Sequence, residues 1–229
     1  MQPRIFSRSR ILGRARLLAT LVLIAAGTAA CTTTGSSPSP TAVARPAVDP
    51  ETARRYAAIE TERFRVPAVS LEDLKPQYVR QLVDYPTRQP PGTIVIDPRN
   101  RFLYLVQEGG KALRYGVGVG KEGLAFSGSA TIDRRAQWPR WAPTPDMIRR
   151  EPARYARWAG GMAGGENNPL GARALYLYRN GRDTLFRIHG TNEPWTIGDA
   201  VSSGCIRMMN HDVIDLYDRI SAGARVVVL

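Results

Sequence analysis

TIVIDPRNRFLYLVQEGGKALRYGVGV, residues 93–119, contains three runs rich in β-branched and aromatic residues: Thr93–Asp97, Phe102–Val106 and Leu113–Val119. Turn formers separate them at Pro98-Arg99-Asn100 and Glu108-Gly109-Gly110. Short β-rich runs alternating with turn signals predict an antiparallel meander. Later runs at Ala174–Tyr178, Leu185–His189 and Arg225–Leu229 belong to the same class, so the chain reads as mainly β with a few short helices. Upstream, residues 51–64 have good helix formers and Leu71–Val83 carries apolar residues at near-helical spacing, interrupted by Pro76. Two short helices packed outside the main domain are expected there, bounded by Gln89-Pro90-Pro91-Gly92. Asp133–Gly165 reads as a long irregular segment rich in Trp, Pro and Arg, a length more typical of a lid or binding loop than of a simple connection. After residue 209, Asn210 is expected to cap a helix with Val213, Ile214, Leu216, Tyr217 and Ile220 inward and Gly223 as its stop.

The chain has 229 residues and 43% hydrophobic composition, enough for one well-buried domain with attachments. Its first sixteen residues hold Arg4, Arg8, Arg10, Arg14 and Arg16, then come an apolar run from Leu17 to Ala26 and small residues to Ala30. That is the pattern of an export signal over residues 1–30, with an apolar run too short for a membrane span of about 20 residues. Thr28-Ala29-Ala30-Cys31 resembles a bacterial lipobox, which implies lipidation of Cys31 and an anchor in the outer or inner membrane, while Thr28, where Leu is preferred, leaves ordinary cleavage after Ala30 as the alternative. Residues 31–50, mostly Thr, Ser, Pro, Ala and Gly, read as a flexible tether, and residues 51–91 as the helical extension. The net charge of +12 includes the five leader arginines, and the rest is scattered without base-stacking aromatics. The composition therefore points away from nucleic acid and permits contact with an anionic envelope polymer. Two cysteines, one of them Cys31, exclude a disulfide framework.

Chemistry concentrates in two late segments, His189-Gly190-Thr191 and Ser202-Ser203-Gly204-Cys205-Ile206-Arg207, with the thiol sixteen positions after the imidazole. A thiol with a reference pKa of about 8.5 needs a base or a positive neighbour before it attacks a carbonyl. Taken singly, a cysteine is a small core residue and a histidine a satisfied hydrogen-bonder. In this order, with flanking glycines, they read as nucleophile and base. Gly204 lets backbone N–H groups approach an oxyanion. Arg207 is placed either on a substrate carboxylate or as a brace of its own loop, and Ser202 more as a hydrogen-bonder within that loop than as a nucleophile. A zinc site from Cys205, His189 and His211 lacks the usual ligand spacing, so no metal and no cofactor is expected. Trp138, Trp141, Trp158 and Trp195 either line a lid or pack the core.

Residues 92–229 resemble the L,D-transpeptidase (YkuD-like) catalytic domain, through both motifs and the supporting segments Trp138–Pro143 and Asn168-Pro169-Leu170-Gly171. One departure is Ser203, where many relatives have a second histidine. The resemblance implies a β-sandwich acting on peptidoglycan stem peptides. Cys205 would open the bond between the L-centre of the third residue, usually diaminopimelate, and D-alanine, with His189 as proton acceptor and donor. Gly190 would supply the carbonyl that orients the histidine, and Ser202, Arg207 and Trp141 are the candidate substrate contacts. The acceptor is left open between a diaminopimelate amine, a lysine of an envelope lipoprotein, and water, the last giving an L,D-carboxypeptidase. A non-catalytic wall-binding lipoprotein is the rival from another class. The implied location is the periplasm of a Gram-negative cell.

Overall fold

The meander forms as expected, and the upstream segment joins it. The computed structural model describes residues 49–70, 72–73, 75–120, 127–202 and 204–229. The signal segment, Cys31, most of the tether, Leu71, Leu74 and Ser203 lie outside the described residues. Strands β1 (Gln81–Asp84), β2 (Ile94–Asp97), β3 (Phe102–Val106) and β4 (Lys111–Gly116) lie in the order β1-β4-β3-β2, all antiparallel. The β2–β3 turn is closed by Asp97, whose Oδ1 accepts from the backbone N–H of Arg99 (3.1 Å) and Asn100 (3.0 Å). Gly109 and Gly110, both at positive φ, make the β3–β4 turn.

The remaining strands are β5 (Val119–Gly120), β6 (Gly128–Gln137), β7 (Arg173–Arg179), β8 (Arg182–His189), β9 (Ala200–Ser202), β10 (Ile206–Arg207) and β11 (Ala224–Val228). β11 pairs parallel to β2 and antiparallel to β6, so one nine-stranded sheet runs β1-β4-β3-β2-β11-β6-β7-β8-β10. Asn180-Gly181, both left-handed, turn β7 into β8. The sheet's two limbs face one another across a single apolar cluster. Ile94, Ile96, Leu103 and Tyr115 come from one limb, and Ile132, Leu175, Leu177 and Ile188 from the other. Each fully buried aliphatic side chain there contributes about 1.5–3 kcal/mol. Gly118 and Arg207 exchange two backbone hydrogen bonds (2.9 and 2.8 Å), tying the chain after β4 to β10, and β5 and β9 add a small parallel sheet.

Three expectations need correction. The 51–91 extension is not a pair of helices outside the domain. Helix α1 (Pro50–Arg55), capped by Asp49, stops at Tyr56, because that ring turns inward and is 1% exposed. The Leu71–Val83 pattern yields only a 3-10 turn at Pro76–Tyr78 and then β1, which hydrogen-bonds to β4. Burial of Tyr56 and Val69 with Ile197 and Met209, and of Val66 with Trp138 and Ala172, overrides helix propensity. Second, Asp133–Gly165 is not wholly irregular: its first five residues finish β6. Helices α2 (Pro145–Arg150) and α3 (Pro152–Tyr155) and a 3-10 turn (Ala156–Trp158) follow. Third, helix α4 (Asn210–Arg219) has Met209 at its N-cap position, with no side-chain cap, and Asn210 as its first residue, and it ends before Ile220. Gly223, at φ +86°, instead makes the turn into β11.

Tyr78 is wedged between two glycines. A Cβ on Gly116 would lie 2.3 Å from Tyr78 Cβ and 2.6 Å from its carbonyl oxygen, contacts no rotamer change relieves. Gly116→Ala is therefore expected to cost about 2 kcal/mol or more, read as a fall of several degrees in the thermal midpoint. An unchanged midpoint would show that this close approach is not sustained in solution.

Candidate active site

β8 and β10 run parallel, with Ile206 opposite Ile188 and Arg207 opposite His189. Ile188 and Ile206 are buried in the core, so strand alternation sends His189 and Arg207 to the other face, and carries Arg187 and Cys205 there with them. This register brings the Cys205 thiol and the His189 imidazole, from distant positions in the chain, to the same face of neighbouring strands, offset by two residues along the ladder. The β10 end is reached through Gly204, at φ +125°, a region that disfavours any residue with a side chain.

His189 is 4% exposed. Its Nδ1 lies 2.6 Å from Gly190 O, and a carbonyl only accepts, so Nδ1 carries the ring proton and Nε2 the lone pair. Burial first, then the Arg207 guanidinium, hold its pKa down to about 4, while the Gly190 bond works the other way. Burial also pushes the half-buried Cys205 thiol upward, opposed by a backbone hydrogen bond with Arg187 and by the charges of Arg187 and Arg207. Both shifts favour the uncharged form of each side chain.

Gly190 is fixed from three sides. Its N–H donates to Arg173 O (3.0 Å), and the His189 carbonyl before it accepts from Met208 N (2.8 Å). Asn210 Oδ1 accepts from Ala172 N (2.9 Å) and sits where a Cβ on either Gly190 or Gly171 would come within 2.1 Å of it. Asn210 thus holds the loop carrying the orienting carbonyl, a role that its reading as a cap missed. Asn168, 1% exposed, staples the preceding loop: Nδ2 donates to Pro139 O (3.1 Å) and Ala163 O (2.9 Å), and Oδ1 accepts from Leu170 N (2.8 Å).

Of the other candidates, Arg207 pairs through Nη1 with Glu193 Oε2 at 3.1 Å, which favours the brace over the substrate clamp. Ser202 ends β9. Trp141 forms a two-bond bridge with Met162 and its ring lies 6.3 Å from that of Tyr155, in the segment after β6. Trp138 is not in a lid: it is 6% exposed, packs on Phe64 and donates Nε1–H to Glu62 (3.0 Å). Trp195 is 53% exposed in the turn two residues after Glu193. His211 is turned away from the pair, with Nε2 on Ala57 O at 2.7 Å. Sequence reasoning missed Arg187, which forks onto Asp183 (2.6 and 2.8 Å) and lies over the Tyr176 ring, and its only signal was the two-residue spacing from His189.

The model of the L,D-transpeptidase catalytic domain matches residues 91–228. The chain belongs to the L,D-transpeptidase catalytic domain family. The probable L,D-transpeptidase ErfK/SrfK of Escherichia coli (strain K12) is 31% identical over 140 residues, 60% of this chain and 44% of that protein. The putative L,D-transpeptidase YqjB of Bacillus subtilis (strain 168) is 30% identical over 137 residues, 59% of this chain and 69% of that one. This chain thus spans less than half of ErfK/SrfK and over two thirds of YqjB. A crystal structure from Brucella melitensis, described as a probable carnitine operon oxidoreductase, is 56% identical and covers 68% of this chain and 96% of that one, at a TM-score of 0.48. Among the described residues no helix is long and apolar enough to cross a membrane.

A neutral resting pair in this L,D-transpeptidase domain has a direct signature. Alkylation of Cys205 by iodoacetamide, followed by mass spectrometry, is expected to accelerate steadily from about pH 6 to about pH 9, as for a protonated thiol. A rate already at its plateau near neutrality would mean a preformed thiolate–imidazolium pair instead.

Proposed function

We propose that this protein is a peptidoglycan L,D-transpeptidase of the cell envelope. The observation that best supports it is the His189 ring, whose proton is held on Nδ1 by Gly190 O and whose Nε2 is left as a base on the face that β10 shares with Cys205. As the donor peptide enters, the Cys205 proton passes to His189 Nε2 and the sulfur attacks the carbonyl between the third stem residue and D-alanine. Backbone N–H groups beside Gly204 receive the oxyanion, and one such donor typically lowers the barrier by about 3 kcal/mol. Collapse breaks the C–N bond, the departing D-alanine amine takes the proton from His189, and a thioester remains. An acceptor amine then gives its proton to His189 and its lone pair to the thioester, forming the new amide, and the proton returns to sulfur. Ser202 and Trp141 are proposed contacts of the donor peptide, with Arg207 positioning the loop between the two catalytic residues.

The leader, Cys31 and the tether support export to the periplasm of a Gram-negative cell and a lipid anchor with reach into the wall. Cross-linking to diaminopimelate and attachment to a lipoprotein lysine use the same first half-reaction, so acceptor choice falls to the surrounding loops.

Purified protein with disaccharide tetrapeptide is expected to release D-alanine and to gain the acyl mass on Cys205. Cys205→Ala should reduce release by at least about a thousandfold, as for loss of a nucleophile. Full activity in that variant would overturn the assignment, and product masses with an added amine separate transfer from hydrolysis. A protein that neither releases D-alanine nor forms an adduct with a carbapenem would be a wall-binding protein instead.

A further inference from the structure

The family match begins at residue 91, yet residues 49–70 lie behind the candidate site and touch it at three places. Glu62 forks onto Arg173 (Oε1 to Nη2 2.6 Å, Oε2 to Nη1 2.9 Å) and accepts Nε1–H of Trp138 (3.0 Å). The Arg173 side chain is 5% exposed, and its guanidinium faces the Tyr217 ring. Tyr56 donates its hydroxyl to both oxygens of the buried Asp212 (3.0 and 3.1 Å) and accepts from Arg80 N (2.9 Å). His211 donates Nε2–H to Ala57 O. His211 and Asp212 directly follow Asn210, whose side chain packs on Gly190.

Two of these lines converge on one residue. Arg173, held by Glu62, offers its own carbonyl to Gly190 N–H. Asn210, held through the first turn of α4 by Tyr56 and Ala57, presses on Gly190 from the other side. Gly190 O is the atom that keeps the His189 proton on Nδ1. Glu62 is well suited to such a hold, because its bond to Arg173 keeps the carboxyl below the usual carboxylate range, so it stays ionised at neutral pH.

We propose that the segment from Asp49 to Val66 is a strap that sets the tautomer and orientation of His189, with Glu62 as the positioning residue acting through Arg173 and Gly190. The proposal rests on His189 being the base of the reaction above, but its principal measurement does not need turnover. Glu62 touches no reacting atom. Its loss would leave a buried guanidinium without its counter-charge, and Arg173 would shift toward water, moving the carbonyl that holds Gly190.

The chain has only two histidines, and the structure gives them opposite tautomers: Nδ1–H on His189, Nε2–H on His211. Imidazole nitrogen NMR of the full-length protein therefore reads each ring separately. In Glu62→Gln the His189 pattern is expected to move from one tautomer toward an average of two, while His211 keeps its pattern. The kcat for D-alanine release should fall about tenfold to a hundredfold with little change in KM, the scale of a small misplacement of a catalytic group. Trp138→Phe, which removes one donor to Glu62 and keeps an aromatic ring, should give smaller changes in the same direction and replaces Glu62→Gln if that variant does not fold. Arg65→Ala, in the same segment but on the surface pair with Glu60, should change neither reading. A folded Glu62→Gln with an unaltered His189 pattern overturns the proposal, whether or not its rate falls. If the wild type releases no D-alanine, the transpeptidase reading fails, and the ring spectra still decide the strap.

Discussion

The amide oxygen of Asn210 is the constraint on which the site depends. It accepts one backbone N–H, from Ala172, and occupies the space a Cβ would need on Gly171 and on Gly190. Two loops and the start of a helix are thereby brought to contact distance, and no larger residue fits at either glycine without displacing the amide. Buried polar groups are tolerated when satisfied, and a satisfied one specifies a single arrangement because every alternative leaves it unpaired. What is specified here is the direction of one carbonyl, and through it the position of one proton.

Burial then does chemical work that charge alone would not. Arg187 and Arg207 flank the pair, and in water they would favour a thiolate. Both are already engaged by carboxylates, Asp183 and Glu193. Removal of water from the cysteine and the histidine weighs more than these partly neutralised cations, so burial favours the uncharged form of each. A neutral thiol reacts more slowly with oxidants and alkylating agents than a thiolate does.

The meander was legible because its runs are apolar and bounded by turn residues, and the candidate histidine and cysteine stood out because their motifs are local. β6 was not. In Gly128–Gln137 only Ala130 and Ile132 are buried, and a bulge after Ile132 breaks the alternation, so a ten-residue central strand reads as a polar stretch. The upstream helices failed for the opposite reason. Local propensity was adequate, but Tyr56 is buried by turning inward at the end of α1, and Val66 and Val69, between the two expected helices, are buried against the domain. The contacts that position the site were hidden for a third reason. Glu62 and Arg173 are 111 positions apart, and nothing in the sequence joins them.

The parallel pairing of β8 and β10 has a consequence for how such a domain diversifies. Parallel neighbours cannot be joined by a tight hairpin, so the chain between His189 and Cys205 has to make an excursion, and it does so with the Glu193 brace, the exposed Trp195 and β9. The ends of that excursion are fixed by the ladder, whatever its middle contains. Lengthening a flexible loop costs only about 0.6 kcal/mol per doubling, so this stretch is a replaceable cassette mounted on a fixed pair of strands. A change in the middle of this stretch therefore leaves the positions of His189 and Cys205 on their strands in place.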